Sequence, residues 1–148
     1  MVKMDCDDIV FRHEMPAQLR WSDVDQFGHV NNSVYFQLFD MCKTKYVQEV
    51  VGMDTLKRVA IVVASIKADF FAPIFYPDEI VIQSKITYMG NKSFVIRQRA
   101  VNVRTKEVKC EGYTTMVTYD MEKKCSITIP DDFRAKVEEY EDKSEDRD

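Results

Sequence analysis

The segment from Trp21 to Tyr35 holds two carboxylates one residue apart, Asp23 and Asp25. They are followed by Gly28-His29, and then by Asn31-Asn32-Ser33 opening an apolar run. Asparagine before an apolar run is a natural helix N-cap, so a helix start is expected beside the acids. A helix N-terminus leaves backbone N–H groups unpaired, and these can hold a carbonyl oxygen as it gains negative charge. A nearby carboxylate can attack that carbonyl or take a proton from the water that does. The spacing points to hydrolysis of an acyl group. Successive side chains of an extended segment point to opposite sides, so Asp23 and Asp25 are not expected to form a dyad. Asp23 is assigned to holding the loop by hydrogen bonds.

The elements that must position this segment can be read from periodicity and punctuation. Ile9 to Trp21 predicts a first strand, bent at Pro16. From about Asn32 to Val51, Val34, Leu38, Met41, Cys42 and Tyr46 recur at helical spacing, and Phe39, Val47 and Val50 widen the stripe. Apolar residues around most of the circumference predict a helix wrapped by a sheet, ended at Gly52. Four strands are then expected over Val59–Phe71, Glu79–Met89, Lys92–Val103 and Val108–Met121. Gly90-Asn91 is a hairpin turn, and Thr105-Lys106 forms the next turn. One helix followed by an antiparallel meander is an α+β arrangement. A sheet curved around one helix leaves a long edge, which pairing with a second copy would satisfy.

The pattern D-x-D-x-x-G-H-V-N-N-x-x-Y resembles the signature of the 4-hydroxybenzoyl-CoA thioesterase family. Phe36 to Lys43 continues as that family's helix, and Asn91-Lys92-Ser93-Phe94 stands where it has a hairpin turn. Ile129 to Arg134 is similar to its C-terminal entry. The resemblance implies the hotdog fold, one long helix wrapped by a curved antiparallel sheet of about five strands. It also implies thioesterase activity on an acyl-CoA or acyl-carrier-protein thioester, with no cofactor and no metal. Asp25 matches the catalytic aspartate, as nucleophile or general base. The backbone N–H groups of Asn32 and Ser33 are the expected oxyanion donors. Gly28, His29, Asn31, Tyr35, Lys92 and Ser93 are expected to bind substrate or shape its site. Members of this family are homodimers and in many cases tetramers. At the Gly90–Ser93 turn only Lys92 keeps the basic character that faces a nucleotide in relatives, which leaves CoA and acyl carrier protein both open as carriers. Some hotdog thioesterases use an acid on the helix, which makes Asp40 a second candidate.

Composition narrows the alternatives. The chain has 148 residues, enough for one domain, expected over residues 1–137 with an acidic tail over 138–148. Seven of the 25 acids and two of the 21 bases fall in Glu138–Asp148, leaving 18 and 19 in a near-neutral body. The tail is expected to be solvated, and a near-neutral body gives no basic face for nucleic acid. No apolar run reaches the roughly 20 residues of a membrane span, and Met1 to His13 lacks the form of a signal peptide, so a cytoplasmic protein is expected. Cys6, Cys42, Cys110 and Cys125 are far apart and the chain has two histidines, so no zinc site is expected. His13 is assigned to a strand or the surface. Phe36, Phe39, Phe70, Phe71 and Phe75 are core residues or the lining of an acyl tunnel. Arg97 and Arg99 share a strand face, exposed or turned to a nucleotide. Two other activities fit such a fold. A hydroxyacyl dehydratase loop needs a histidine working with an acid and resembles P-G-H-F-P-G, whereas Phe27 to Asn31 has the Gly-His but neither proline. A non-enzymatic acyl-CoA-binding module would have no need of Asp25.

Overall fold

The computed structural model describes residues 9–145. Its order is β1 (His13–Ala17), a single 3-10 turn (Trp21–Asp23), α1 (Asn32–Val50), α2 (Met53–Leu56), β2 (Ala60–Phe70) and β3 (Ile80–Met89). Then come β4 (Ser93–Asn102), β5 (Val108–Asp120), β6 (Cys125–Ser126) and α3 (Asp131–Glu145). The sheet runs β1-β3-β4-β5-β2, antiparallel throughout, with β6 a short addition to β5. This is the α+β arrangement expected, five main strands around one long helix.

β1 is shorter than the Ile9–Trp21 expected. The chain leaves the sheet after Ala17 because Asp23 closes a tight turn, its carboxylate accepting from the backbone N–H and guanidinium of Arg20. Pro16 stays within β1, opposite Val81. An edge strand tolerates the missing N–H that a central strand would not.

α1 buries Val34, Tyr35, Leu38, Phe39, Cys42, Tyr46 and Val47 against the concave face of the sheet. Met41, expected in that stripe, is exposed. Gly112 on β5 lets the helix sit close, because a Cβ there would come 3.1 Å from the Phe39 ring. Gly52 carries φ +92° and donates to Val47 O, ending α1 and starting α2 in one residue.

The acidic segment from residue 138 is helical through Glu145, with Glu138, Glu139 and Asp142 exposed as expected and Glu141 turned inward. Phe133 and Val137 of α3 enter the core around Tyr46, Phe94 and Ile96. Glu141 is buried, where it accepts the Tyr46 hydroxyl at 2.6 Å and lies 3.8 Å from Lys85 Nζ. One buried partner is enough to draw an acidic turn inward, and composition alone gives no sign of it. No helix among the described residues is long and apolar enough to cross a membrane.

Candidate active site

The loop before α1 is held on several sides. Val24 and Val30 form a β-bridge, Asn31 N–H donates to Asp23 O, and Val30 N–H donates to Ile74 O at 2.8 Å. Gly28 turns the loop at φ +79° and donates to Asp25 O, while Asp25 N–H donates to His29 O at 2.8 Å. Asp23 is 3% exposed. Burial works against its charge, but hydrogen bonds from the Arg20 side chain and backbone outweigh that and hold its carboxyl below the usual 3.8.

That imbalance makes a pH prediction. A depressed carboxyl stabilises the fold above its unfolded pKa of about 3.9, and this contribution disappears as pH falls through the lower folded value. Asp23→Asn should therefore cost about 2 kcal/mol at neutral pH, the order expected for losing a charged hydrogen-bond partner. The gap between variant and wild type should close as pH falls through the depressed folded value. Urea unfolding at a series of pH values checks this, and a gap independent of pH would contradict it.

Asp25 is exposed and its two oxygens differ. Oδ1 accepts from Phe27 N–H at 2.9 Å and from His29 N–H at 3.2 Å, closing an Asx turn. Oδ2 has no hydrogen-bond partner among the described residues. One oxygen thus anchors the carboxylate while the other is left for chemistry. Asp25 lines a cleft of about 470 Å³ together with His29, Val30, Asn31, Asn32 and Tyr35. Phe70, Phe71, Ala72 and Pro73, from the end of β2 and the segment after it, form the opposite wall.

The N-terminus of α1 opens into this cleft. Asn31 is the N-cap, and its Oδ1 accepts from Ser33 N–H at 3.0 Å and Ser33 Oγ at 2.9 Å. The sequence points to Ser33 N–H as an oxyanion donor, but the cap already occupies it. Asn32 N–H has no partner among the described residues. His29 packs edge-on against Phe75, ring centroids 4.9 Å apart.

Several expected residues are not brought to this cleft. Ser93 pairs with Val117, and Val117 with Val62, so Lys92 and Ser93 lie at the Ala60 end of the sheet. The Asp25 cleft lies at the Phe70 end. About eight residues of strand separate the two, roughly 26 Å at ~3.3 Å per residue. Asp40 lines a second cleft of about 420 Å³ between α1 and β2, and pairs with the buried Lys43 at 2.9 Å. Arg97 and Arg99 pack against Phe11 and pair with Glu111, so they are largely buried, and neither lines the cleft. His13 is buried in β1 beside Glu49. Burial pushes the Cys42 thiol up to about 11 and the Cys110 thiol up to about 12, so neither is a nucleophile at neutral pH. Among the described residues no group of three or more His, Cys, Asp or Glu could hold a metal ion.

Two wall residues escape a reading of the sequence, Ala72 and Pro73. Their signal is the Phe-Phe-Ala-Pro run after β2, which by local rules marks no more than the end of a strand.

Comparison with known proteins agrees with this architecture. Residues 19–137 match the thioesterase-like superfamily. The acyl-CoA thioester hydrolase YbgC of Escherichia coli O157:H7 is 30% identical over 90 residues, covering 59% of this chain and 67% of that protein. The chain spans about three fifths to two thirds of the length of the curated relatives it matches. The PA5185 protein of Pseudomonas aeruginosa superposes with a TM-score of 0.77 at 28% identity, over 86% of this chain and 90% of that one. A thioesterase from Thermus thermophilus, crystallised with coenzyme A and zinc, gives 0.79 at 21% identity, over 89% and 96%. With the motif, the curled sheet around α1 and the family match in agreement, the chain belongs to the thioesterase-like superfamily and has its hotdog fold.

Proposed function

We propose that this protein hydrolyses an acyl-CoA thioester to free acid and thiol, with Asp25 at the reacting centre. The observation that carries the reading is the asymmetry of Asp25. Oδ1 is pinned by two backbone N–H groups and Oδ2 is unpartnered, in a cleft that also holds the open Asn32 N–H. A carbonyl oxygen on that N–H would sit at the positive end of a 19-residue helix, where developing negative charge is stabilised. Asp25 lines the same cleft, which makes Oδ2 the group this reading assigns to the carbonyl carbon. Attack by Oδ2 forms an acyl–aspartyl anhydride as the C–S bond breaks and the thiolate departs with a solvent proton. Water then cleaves the anhydride and restores the carboxylate. In the base route Oδ2 takes a proton from the water that attacks the thioester directly. Coenzyme A is favoured as carrier because a structural neighbour is a thioesterase holding coenzyme A and a relative is named an acyl-CoA hydrolase.

The reading includes a homodimer. β2 is an edge strand of 11 residues with Val62, Val63, Ile66 and Phe70 exposed. A long apolar edge of this kind invites pairing. Antiparallel pairing of β2 with its twofold copy would set the Phe70 end beside the partner's Ala60 end. That arrangement would carry Lys92 and Ser93 across to the other subunit's Asp25 cleft, where one protomer alone leaves them far away. The test is thiol release from a panel of short, long and aromatic acyl-CoAs, with carrier-protein thioesters alongside. Turnover of at least one acyl-CoA is expected. Stoichiometric binding without turnover would replace the reading with a binding module.

A further inference from the structure

The cap on Ser33 leaves one backbone donor where an oxyanion is best held by two. Tyr35, at the fourth position of α1, fills the gap. Helical side chains lean back over the preceding turn, so its ring lies toward the Asn32 end of the helix. Tyr35 is 3% exposed and lines the Asp25 cleft. Its ring is fixed edge-on against Phe70, centroids 5.2 Å apart. The hydroxyl accepts from Ile74 N–H at 3.2 Å. A phenol has one donor besides its lone pairs, and no described residue accepts it.

We propose that Tyr35 is a catalytic residue whose hydroxyl donates a hydrogen bond to the acyl carbonyl oxygen, forming the oxyanion site together with Asn32 N–H. The inference rests on the thioesterase reading above and names the second donor of that site. Donation from Ile74 N–H withdraws charge from the phenol oxygen and strengthens the bond its proton makes. Burial pushes the phenol up to about 12, so the donor is present throughout the neutral range. No proton is transferred; the hydrogen bond tightens as the oxygen gains charge.

Tyr35→Phe keeps the ring and removes the donor. The expected result is a fall in kcat on the order of 100-fold with KM within about threefold, since the bond strengthens in the transition state. A ketone analogue of the acyl-CoA, with methylene in place of sulfur, supplies a readout that a packing role would not move. Its bound carbonyl stretch should be lowered in wild type and should return toward the solution value in Tyr35→Phe. An unchanged kcat, or a lost kcat with an unchanged stretch, would overturn the assignment. Should Tyr35→Phe fail to fold, 3-fluorotyrosine at this position keeps the acceptor for Ile74 and donates more strongly. The stretch should then fall further, and no movement would overturn the proposal. Failure of the thioesterase reading looks different, because wild type would release no thiol at all. Turnover lost in Asp25→Asn but kept in Tyr35→Phe sinks only the role of Tyr35.

Discussion

Asp25→Asn is expected to lower turnover at least about a hundredfold while the protein stays folded. The substitution keeps the side-chain oxygen that accepts from Phe27 and His29 N–H, so the Asx turn and the loop survive. It replaces Oδ2, the oxygen without a partner among the described residues, by an amide nitrogen that neither attacks a carbonyl nor accepts a proton from water. Circular dichroism and thermal melting should therefore match wild type, with the loss confined to kcat. A variant that turns over like wild type would remove Asp25 from the mechanism and move attention to Asp40 on the wall of the second cleft. A single turnover in 18O-enriched water tests for the anhydride route. Label in the Asp25 carboxylate identifies an anhydride that water cleaves at the aspartyl carbon. Label confined to the released acid is the outcome of the base route and of an anhydride cleaved at the acyl carbon.

The second large effect is expected at the β2 edge. Val63 is 52% exposed and Ile66 41% exposed on a strand with no neighbour on its outer side among the described residues. The double substitution Val63→Lys, Ile66→Lys places four cations around the twofold of a β2–β2 pair. Lysine is also the residue that natural edge strands use to refuse partners. Sedimentation velocity should show wild type as a dimer, or a larger assembly of dimers, and the variant as a monomer. Turnover should fall by roughly 100-fold or more, because under the proposed dimer a subunit alone would lack the partner's Lys92 and Ser93 at its cleft. The single protomer should keep its helix and sheet signals, since neither residue belongs to the two core clusters. A variant that remains dimeric with full activity would place the interface elsewhere. A monomeric variant with full activity would show that one cleft is complete by itself.

Much of the architecture follows from local rules that are visible in the chain. The helix from Asn32, the four strands after it and the turn at Gly90-Asn91 rest on spacing of apolar residues and on turn-forming residues, which act within a few positions. The first strand stops short of its sequence pattern because its end depends on Asp23 finding Arg20. One residue of the acidic C-terminal stretch turns inward because Glu141 finds Tyr46, 95 residues away in sequence. Charge near the end of a chain says solvated until a buried hydroxyl is placed opposite it.

The site divides in the same way. By itself the sequence determined which residues stand together in the loop: Asp25, Gly28, His29 and the asparagines lie within eight positions, and local hydrogen bonding forces them into one turn. Tertiary structure alone decided which donors remain free. Ser33 N–H is spent on the cap, the Tyr35 hydroxyl meets Ile74 from the segment after β2, and Lys92 and Ser93 sit at the far end of the sheet. The physical reason is that hydrogen-bond capacity is finite, and a donor's availability depends on every group packed around it. Some of those groups are brought in from distant parts of the chain.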